Sequence, residues 1–266
     1  MMSVKDYVLI TGASSGIGSH LAMHFAESSY SLILLARRED LLSEVKEKCL
    51  KINPKIDVIT FISDVRKDED LKKVQDHINE LDLTLKIVIA NAGIPVMGYV
   101  ANLTVEDYKY QFETNVFGVL RTFYFFKDHL IQSKGHLALL GSVASYISSP
   151  KLTPYCMSKF AVKALSEGLY FEMKKFGVKC TLICPGLVES QIRQVNNKGL
   201  YKEDAKDPAP DWIIMDTKTA TLQMKKAILK GKKEVIITGH GKIMVFIQRY
   251  FPWVVDFLNS KNIMSG

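Results

Sequence analysis

The stretch VKDYVLITGASSGIG, residues 4–18, decides the fold of this chain. Residues 4–10 have the character of a short buried strand, and the glycine-rich residues 11–18 follow at once. Apolar residues then recur at helical spacing, at Leu21, Ala22, Phe25 and Ala26. Glycines permit a tight turn, and free N–H groups at a helix N-terminus attract phosphate. The stretch therefore predicts a strand, a phosphate-binding turn and a helix; the alternative is a turn without a ligand.

Strand-like and helix-like segments alternate along the rest of the chain. Further strands are predicted at residues 31–35, 56–62, 86–90, 135–141, 178–183 and 234–237. This alternation predicts an α/β fold, a Rossmann-type doubly wound parallel sheet of about seven strands in three α/β/α layers. We expect one catalytic domain over residues 1–240 and an apolar C-terminal extension over residues 241–266. Residues 187–215 are predicted to form a lid, or alternatively a plain surface loop.

The composition is that of a globular protein, with 47% hydrophobic and 24% charged residues and a net charge of +7. The lysines are spread along the chain and no nucleic-acid motif is present, so a nucleic-acid partner is not expected. The cysteines form no Cys-x-x-Cys pair, which indicates reduced thiols and a cytoplasmic protein. No signal-peptide core and no apolar run of membrane-spanning length is found.

The second predicted strand ends in two arginines, Arg37 and Arg38, with Ala36 rather than an acid before them. In dinucleotide-binding folds an acid near this position bonds the ribose 2′-hydroxyl, whereas arginine accommodates a 2′-phosphate. The pattern therefore favours NADP(H) over NAD(H). The alternative is that both arginines are solvated at the start of the next helix.

Polar residues follow the third and fourth strands. Asp64 could cap the next helix or line an adenine pocket, and the sequence does not separate the two. The run from Asn91 to Gly93 suits a ligand that lies against the backbone, or an ordinary turn. A single helix is predicted from Thr104 to about residue 131, with Asn115 in apolar surroundings. A buried amide needs partners, which are either functional or a neighbouring carbonyl.

Tyr155 and Lys159 lie four residues apart on a helix predicted over residues 154–176, so they share one face. Moving the pKa of a tyrosine from about 10 to about 7 takes roughly 4 kcal/mol. One positive charge at ~4 Å supplies about that much at an effective dielectric of ~20. The pair can therefore exchange a proton near neutral pH. Tyr170 and Lys174 have the same spacing and are expected to be surface residues, because only Tyr155 is preceded by a strand that delivers a serine, Ser142.

Together these motifs resemble those of the classical short-chain dehydrogenase/reductase family. Residues 11–18 match its Thr-Gly-x-x-x-Gly-x-Gly turn. The other motifs match in order and spacing, at Asn91-Ala92-Gly93, Asn115, Ser142, Tyr155, Lys159 and Pro185-Gly186. The resemblance covers nearly all of residues 4–237.

The resemblance implies four catalytic residues. Tyr155 would exchange a proton with the substrate oxygen, and Lys159 would lower its pKa and hold the nicotinamide ribose. Ser142 would bond the carbonyl oxygen, and Asn115 would hold a water in the proton relay. No metal is expected. The resemblance also implies homo-oligomers, because family members often pair through the helices that carry Asn115 and Tyr155.

The patterns and the resemblance together predict a set of cofactor-binding residues. Asp64 and Val65 would border the adenine, and Val188 and Ser190 would touch the nicotinamide carboxamide. Ser15 stands where many NADP-preferring members carry a basic residue, so the preference depends mainly on Arg37. The full set is Gly12, Ser14, Ser15, Gly16, Ile17, Gly18, Arg37, Arg38, Asp64, Val65, Asn91, Ala92, Gly93, Tyr155, Lys159, Pro185, Gly186, Val188 and Ser190.

We therefore expect an NADP(H)-dependent oxidoreductase that transfers a hydride between nicotinamide and a carbonyl or alcohol, as a carbonyl reductase or in reverse. The alternative is a non-catalytic NADP(H)-binding sensor or scaffold. Apolar residues around the expected cleft, Ile147, Leu152 and Leu187, favour a hydrophobic substrate. The C-terminal extension is apolar on one helical face, is interrupted by Pro252 and carries basic residues. It could lie at a membrane interface, form an oligomer contact or line an apolar pocket.

Overall fold

The computed structural model describes residues 5–189 and 213–264 of the chain. Its strands are β1 (Asp6–Thr11), β2 (Ser31–Ala36), β3 (Val58–Ile62), β4 (Thr84–Ala90), β5 (His136–Leu140), β6 (Lys179–Cys184) and β7 (Glu234–Ile236). All neighbours pair in parallel, in the order β3-β2-β1-β4-β5-β6-β7. The chain order reverses between β1 and β4, where such folds bind their ligands. The predicted doubly wound parallel sheet is confirmed.

Helices cover both faces of the sheet. They are α1 (Gly16–Glu27), α2 (Glu39–Ile52), α3 (Asp68–Glu80), α4 (Val105–Phe112), α5 (Gly118–Ser133), α6 (Thr153–Glu172), α7 (Thr217–Lys230), α8 (Gly239–Tyr250) and α9 (Pro252–Met264). One buried apolar cluster packs α1, α2 and α7 against the sheet, and a second packs α3, α5 and α6 against its other face. Phe25 and Phe126 anchor these two clusters and are fully buried. The three predicted layers follow from this arrangement.

The single helix predicted from Thr104 is wrong in its middle. Thr104 does cap α4, in a capping box with Asp107, but Glu113–Phe117 forms a π-helical turn before α5 begins. Asparagine and glycine are weak residues in a helix interior, and the turn contains Asn115 and leads into Gly118. A Cβ on Gly118 would lie 2.6 Å from Val65 Cγ2, so glycine is needed for this close packing.

Two further predictions about α6 are wrong. The helix ends at Glu172 rather than at residue 176, and a short turn, Lys174–Phe176, leads to Gly177 with φ of 77°. The helical spacing also predicts Phe160, Leu165, Leu169 and Met173 on the buried face, but Phe160 is 44% exposed. Leu169 and Met173 are buried as predicted, together with Val162, because the helix presents that stripe to the sheet.

Candidate active site

The glycine turn has the shape that its sequence predicts. Gly12 and Gly16 have φ of 66° and 53°, a region that residues with a side chain rarely adopt. A Cβ on Gly18 would lie 2.3 Å from the Gly12 carbonyl oxygen, so α1 could not approach β1 this closely with any other residue. The Ser15 hydroxyl makes no capping bond to the first turn of α1. The turn therefore fits a phosphate group, which would be held by backbone N–H groups.

Asn91 links the end of β4 to the glycine turn by hydrogen bonds. Its Nδ2 donates to the carbonyl oxygens of Thr11 and Gly12, at 2.8 and 3.1 Å. The Thr11 hydroxyl in turn accepts the backbone N–H groups of Asn91 and Ala92, both at 3.0 Å. Asn91 to Gly93 therefore lie beside the turn, at the point where the strand order reverses.

Arg38 lies across the glycine turn. Its Nη2 donates to Ser14 Oγ at 3.3 Å and to Ser15 Oγ at 2.5 Å. Arg38 is exposed at the start of α2 and also contacts the turn. Arg37 is exposed, and its charge contributes to lowering the pKa of Asp64. The Arg38 guanidinium thus lies at the turn, and the charge of Arg37 acts on Asp64.

Asp64 is held by Arg66, a residue that the sequence analysis did not single out. Arg66 Nε lies 2.9 and 3.0 Å from the two carboxylate oxygens, and its backbone N–H donates to Oδ1 at 3.1 Å. Burial raises the pKa of Asp64, but the hydrogen bonds and charge of Arg66 outweigh that effect and bring the pKa below its ordinary value. The N-cap of α3 is Lys67, so of the two alternatives for Asp64 helix capping is wrong.

The Asn115 side chain, 1% exposed, has protein partners for both its oxygen and its nitrogen. Oδ1 accepts from Ile94 N at 2.9 Å, and Nδ2 donates to Ile94 O and Ser158 Oγ at 3.0 and 3.2 Å. Ser158 Oγ donates onward to the Tyr155 carbonyl at 2.7 Å. The side-chain amide has no donor left for a water, so its observed contacts are those of a link between the end of β4 and α6. Sequence reasoning missed Ser158.

Lys159 is buried next to Tyr155. Its ammonium donates to the Leu140 carbonyl at 2.7 Å and lies 5.6 Å from the centre of the Tyr155 ring. Burial lowers the pKa of Lys159 to about 8. Tyr155 itself is half-buried. Tyr155 and Lys159 are therefore close together, and the Lys159 ammonium is bonded to β5, the strand that precedes Ser142.

Ser142 comes two residues after Leu140, at the end of β5. Its hydroxyl accepts from Ala144 N at 3.1 Å and donates to the Pro185 carbonyl at 3.4 Å. Since Lys159 bonds Leu140, the serine, the tyrosine and the lysine meet at the carboxyl end of one strand. This is the arrangement that the sequence predicts.

The segment after β6 completes this edge of the sheet. Pro185 is buried and its carbonyl also accepts Val143 N at 2.9 Å. Val188 is 2% exposed and forms a parallel bridge with Met215. Ser190 and most of the predicted lid, residues 190–212, lie outside the described residues. In the ranges 5–189 and 213–264, no three His, Cys, Asp or Glu side chains are grouped so as to hold a metal ion.

Comparison with known proteins agrees with this geometry. The family model for short chain dehydrogenase matches residues 6–200. The "11-beta-hydroxysteroid dehydrogenase-like 2" of Arabidopsis thaliana is 31% identical over 257 residues, which span 94% of this chain and 79% of that protein. The "11-beta-hydroxysteroid dehydrogenase A" of Sesamum indicum is 29% identical, over 94% of this chain and 73% of that protein.

Solved structures show the same fold. An alcohol dehydrogenase from Thermococcus sibiricus, complexed with 5-hydroxy-NADP, has 25% identity and a TM-score of 0.75, with 88% of this chain and 96% of that chain covered. A short-chain dehydrogenase/reductase from Burkholderia phymatum, in complex with NAD, has a TM-score of 0.81 at 21% identity, with 94% and 95% covered. The chain therefore belongs to the short-chain dehydrogenase/reductase family of oxidoreductases.

Proposed function

We propose that this protein is an NADP(H)-dependent oxidoreductase that interconverts a carbonyl compound and its alcohol, with Tyr155 as acid and base. The observation that carries the proposal is the buried Lys159 ammonium, which lies 5.6 Å from the Tyr155 ring centre and is bonded to the strand end that delivers Ser142. A buried cation stabilises the phenolate form of a neighbouring tyrosine, because the interior screens charge poorly. Proton exchange near neutral pH follows from that stabilisation.

Each residue has a separate task in the proposed reaction. The nicotinamide, when bound, supplies or accepts the hydride. Ser142 orients the substrate oxygen through its hydroxyl, and Tyr155 gives that oxygen a proton in reduction and takes it back in oxidation. Lys159 stabilises the phenolate while Tyr155 is deprotonated. Asn115 acts through Ser158, which holds the backbone of the catalytic helix at Tyr155.

NADP(H) is the proposed cofactor, and three features of the glycine turn support it. Arg38 bonds both turn serines, Arg37 precedes it in the chain and is exposed, and Ala36 leaves no acid to repel a 2′-phosphate. Similar structures have been solved with NADPH or 5-hydroxy-NADP, and another with NAD. The turn geometry fits either dinucleotide, so the arginines carry the preference.

Calorimetric titration with NADPH and NADH tests this preference. Arg37→Ala is expected to weaken NADPH binding by about 10- to 100-fold, since a charge-assisted bond to phosphate is lost, and to leave NADH binding nearly unchanged. Arg249→Ala, on α8, is the matched control. Equal affinities of wild type for NADPH and NADH, or equal losses for both in Arg37→Ala, would show that Arg37 does not select the cofactor.

A hydrophobic carbonyl compound is the proposed substrate class. Leu152 and Leu187 are half-buried near the site, whereas Ile147 is 6% exposed and packs inside the protein. Two relatives carry the name of 11-beta-hydroxysteroid dehydrogenases, which adds support. A panel of ketones and aldehydes of rising size, followed by NADPH absorbance, tests the class. Saturable NADPH binding without turnover on any member would favour the sensor or scaffold alternative.

We further propose that the protein works in the cytoplasm and that α8 and α9 touch an anionic membrane surface. No helix in the described parts of the chain is long and apolar enough to cross a bilayer. Large apolar side chains are exposed along both helices, at Ile243, Phe246, Tyr250, Phe251, Trp253, Phe257 and Leu258. Lys242 and Arg249 are also exposed on α8, and their positive charges suit anionic lipid headgroups. Asn259 bonds the Ser148 carbonyl at 3.3 Å, so this apolar surface adjoins the loop after Ser142.

Flotation with vesicles tests the membrane contact. Wild type is expected to float with vesicles that contain phosphatidylserine and much less with pure phosphatidylcholine, and a Phe246→Ser, Trp253→Ser, Phe257→Ser variant is expected to stay unbound. The control is Phe176→Ser, which removes an aromatic residue that is 42% exposed in the turn after α6. Failure of wild type to float, with a smaller assembly size of the triple variant in light scattering, would assign the surface to a second copy of the chain.

A homo-oligomer is also proposed, through a different surface. Phe117, Tyr124, Phe160 and Phe171 are exposed at or on the helices α5 and α6. Exposed aromatic residues on neighbouring helices favour an interface between protein chains. Light scattering of wild type and of a Tyr124→Ser, Phe160→Ser variant tests this; a monomeric wild type would contradict it.

A further inference from the structure

The first turn of α8 contacts the segment that follows β6. β7 pairs in parallel with β6, and Ile237 N donates to the Cys184 carbonyl at 3.1 Å. The chain leaves β7 at this point and delivers Thr238 and His240 beside residues 185–187. The C-terminal helices are therefore connected to the edge of the sheet where Ser142 lies.

His240 accepts hydrogen bonds through one ring nitrogen. Leu187 N donates to Nε2 at 3.0 Å, and Thr238 Oγ1 lies 3.1 Å from the same atom. The Thr238 hydroxyl already accepts Gly241 N at 3.1 Å, so its own proton is directed to His240. Nε2 must then be unprotonated, and burial lowers the pKa of His240, which favours the neutral ring.

Gly186 makes this close approach sterically feasible. A Cβ at this position would lie 2.2 Å from Thr238 Oγ1 and 2.6 Å from His240 Nε2. Non-bonded atoms do not approach this closely, so any side chain at residue 186 would push the segment away from α8. Gly186 and His240 therefore form one contact. The sequence pattern predicts Pro185 and Gly186, but it does not predict that His240 packs against them.

The same segment is bonded to the active site on its other side. The Pro185 carbonyl accepts Ser142 Oγ at 3.4 Å and Val143 N at 2.9 Å. The Leu187 carbonyl accepts Met215 N at 2.9 Å. A shift at Leu187 would therefore be transmitted through two peptide units to the hydroxyl of Ser142.

We propose that His240 is a positioning residue for the carbonyl–alcohol reaction, which fixes residues 185–187 against Ser142 by accepting the Leu187 N–H. The effect on turnover rests on the proposed function, whereas the effect on the segment does not. His240 lies outside the motifs of the sequence and reaches the site only through the fold.

Two substitutions separate the hydrogen bond from the bulk of the side chain. His240→Leu removes the acceptor and puts an apolar side chain in its place, and His240→Gln keeps an acceptor oxygen. Lys242→Leu, on the same helix and exposed, is the control. The first measurement is hydrogen–deuterium exchange at the Leu187 amide in the protein without cofactor. We expect exchange to be about tenfold faster or more in His240→Leu and close to wild type in the other two.

The second measurement is steady-state turnover with NADPH and the best carbonyl from the panel. We expect kcat to fall by about tenfold in His240→Leu, with a smaller change in KM, and to recover in His240→Gln. Unchanged Leu187 exchange in His240→Leu would overturn the proposal. Equal losses of turnover in the Leu and Gln variants, with equally lowered melting temperatures, would overturn it as well. If wild type reduces no carbonyl, the proposed function fails, and the exchange experiment still decides whether His240 holds the segment.

Discussion

The two ends of α6 carry the same pattern, a tyrosine followed by a lysine four residues later, with different outcomes. At the first end Lys159 is 5% exposed, donates to the Leu140 carbonyl and lies over the Tyr155 ring. At the other end the helix stops at Glu172, so Lys174 falls in the following turn and is exposed. The cation over Tyr170 is instead Lys233, whose Nζ lies 5.1 Å from the ring centre.

The comparison teaches that spacing alone does not make a reactive pair. Burial lowers the pKa of Lys159 to about 8, and the strand end beside it delivers Ser142. Tyr170 is half-buried at the far end of the helix, away from that strand end. Reactivity therefore comes from what the sheet places beside each pair, and substitutions at the two ends should separate the contributions.

The largest difference is expected between Tyr155→Phe and Tyr170→Phe. Removing the Tyr155 hydroxyl should lower kcat by about 10²- to 10⁴-fold, because proton transfer to the substrate oxygen is lost. NADPH affinity should change by no more than about threefold. Tyr170→Phe keeps wild-type turnover. Turnover is measured by NADPH absorbance and affinity by calorimetry; comparable kcat in the two variants would remove Tyr155 from the mechanism.

The second largest effect is expected for Lys159→Met, which should lower turnover by about 10²- to 10³-fold. The phenolate of Tyr155 then lacks a neighbouring positive charge that stabilises it by roughly 3–4 kcal/mol. Lys174→Met is the matched control and should keep wild-type kcat. The measurement is kcat against pH for both variants. If Lys159→Met keeps more than about a tenth of wild-type kcat at every pH, the lysine does not activate Tyr155.

Lys159→Met should lower turnover but raise the free energy of unfolding. The pKa falls from 10.5 to about 8 on folding, so below pH 8 the folded state holds a proton that the unfolded state binds more tightly. This shift destabilises the fold by up to about 3 kcal/mol. Lys159→Met, without cofactor, should therefore unfold at a higher urea concentration than wild type at pH 7.

The difference in the free energy of unfolding between Lys159→Met and wild type should depend on pH. Between pH 8 and 10.5 the unfolded state carries more protons than the folded state, so the stability of wild type rises with pH. The advantage of Lys159→Met should narrow over that range. Urea unfolding at pH 7, 8, 9 and 10 checks it; an advantage that is constant with pH would instead reflect better apolar packing.

The smallest effect is expected for Lys233→Ala, at the Tyr170 end. Lys233 lies over two rings, 5.1 Å from the centre of Tyr170 and 4.8 Å from that of Phe171. Exposed contacts of this kind contribute about 0.5–1 kcal/mol, so the free energy of unfolding should fall by that amount. Turnover should not change. Lys232→Ala, at the exposed neighbouring position, is the control; a loss of kcat in Lys233→Ala would mean that both ends of α6 affect the site.

The sequence predicts most of the fold and the chemistry of the site because both depend on local patterns. The strands, the glycine turn, Ser142 and the Tyr155–Lys159 pair are each encoded within a few neighbouring residues. The π-helical turn at Asn115 was not predicted, because weak helix formers such as Asn115 and Gly118 do not by themselves specify which irregular turn forms. The exposure of Phe160 was not predicted either, because residue spacing does not reveal which side of an apolar helix meets the sheet.

By itself, the sequence determined the order of strands and helices, the family resemblance and the residue types available for proton exchange. Only the tertiary structure decided which tyrosine has a buried lysine beside it and which histidine holds Leu187. The physical reason is that these arrangements depend on residues far apart in the chain: Lys159 is held by the Leu140 carbonyl, and His240 accepts the Leu187 N–H at 3.0 Å. Burial and hydrogen bonding depend on those partners, and no local pattern names them.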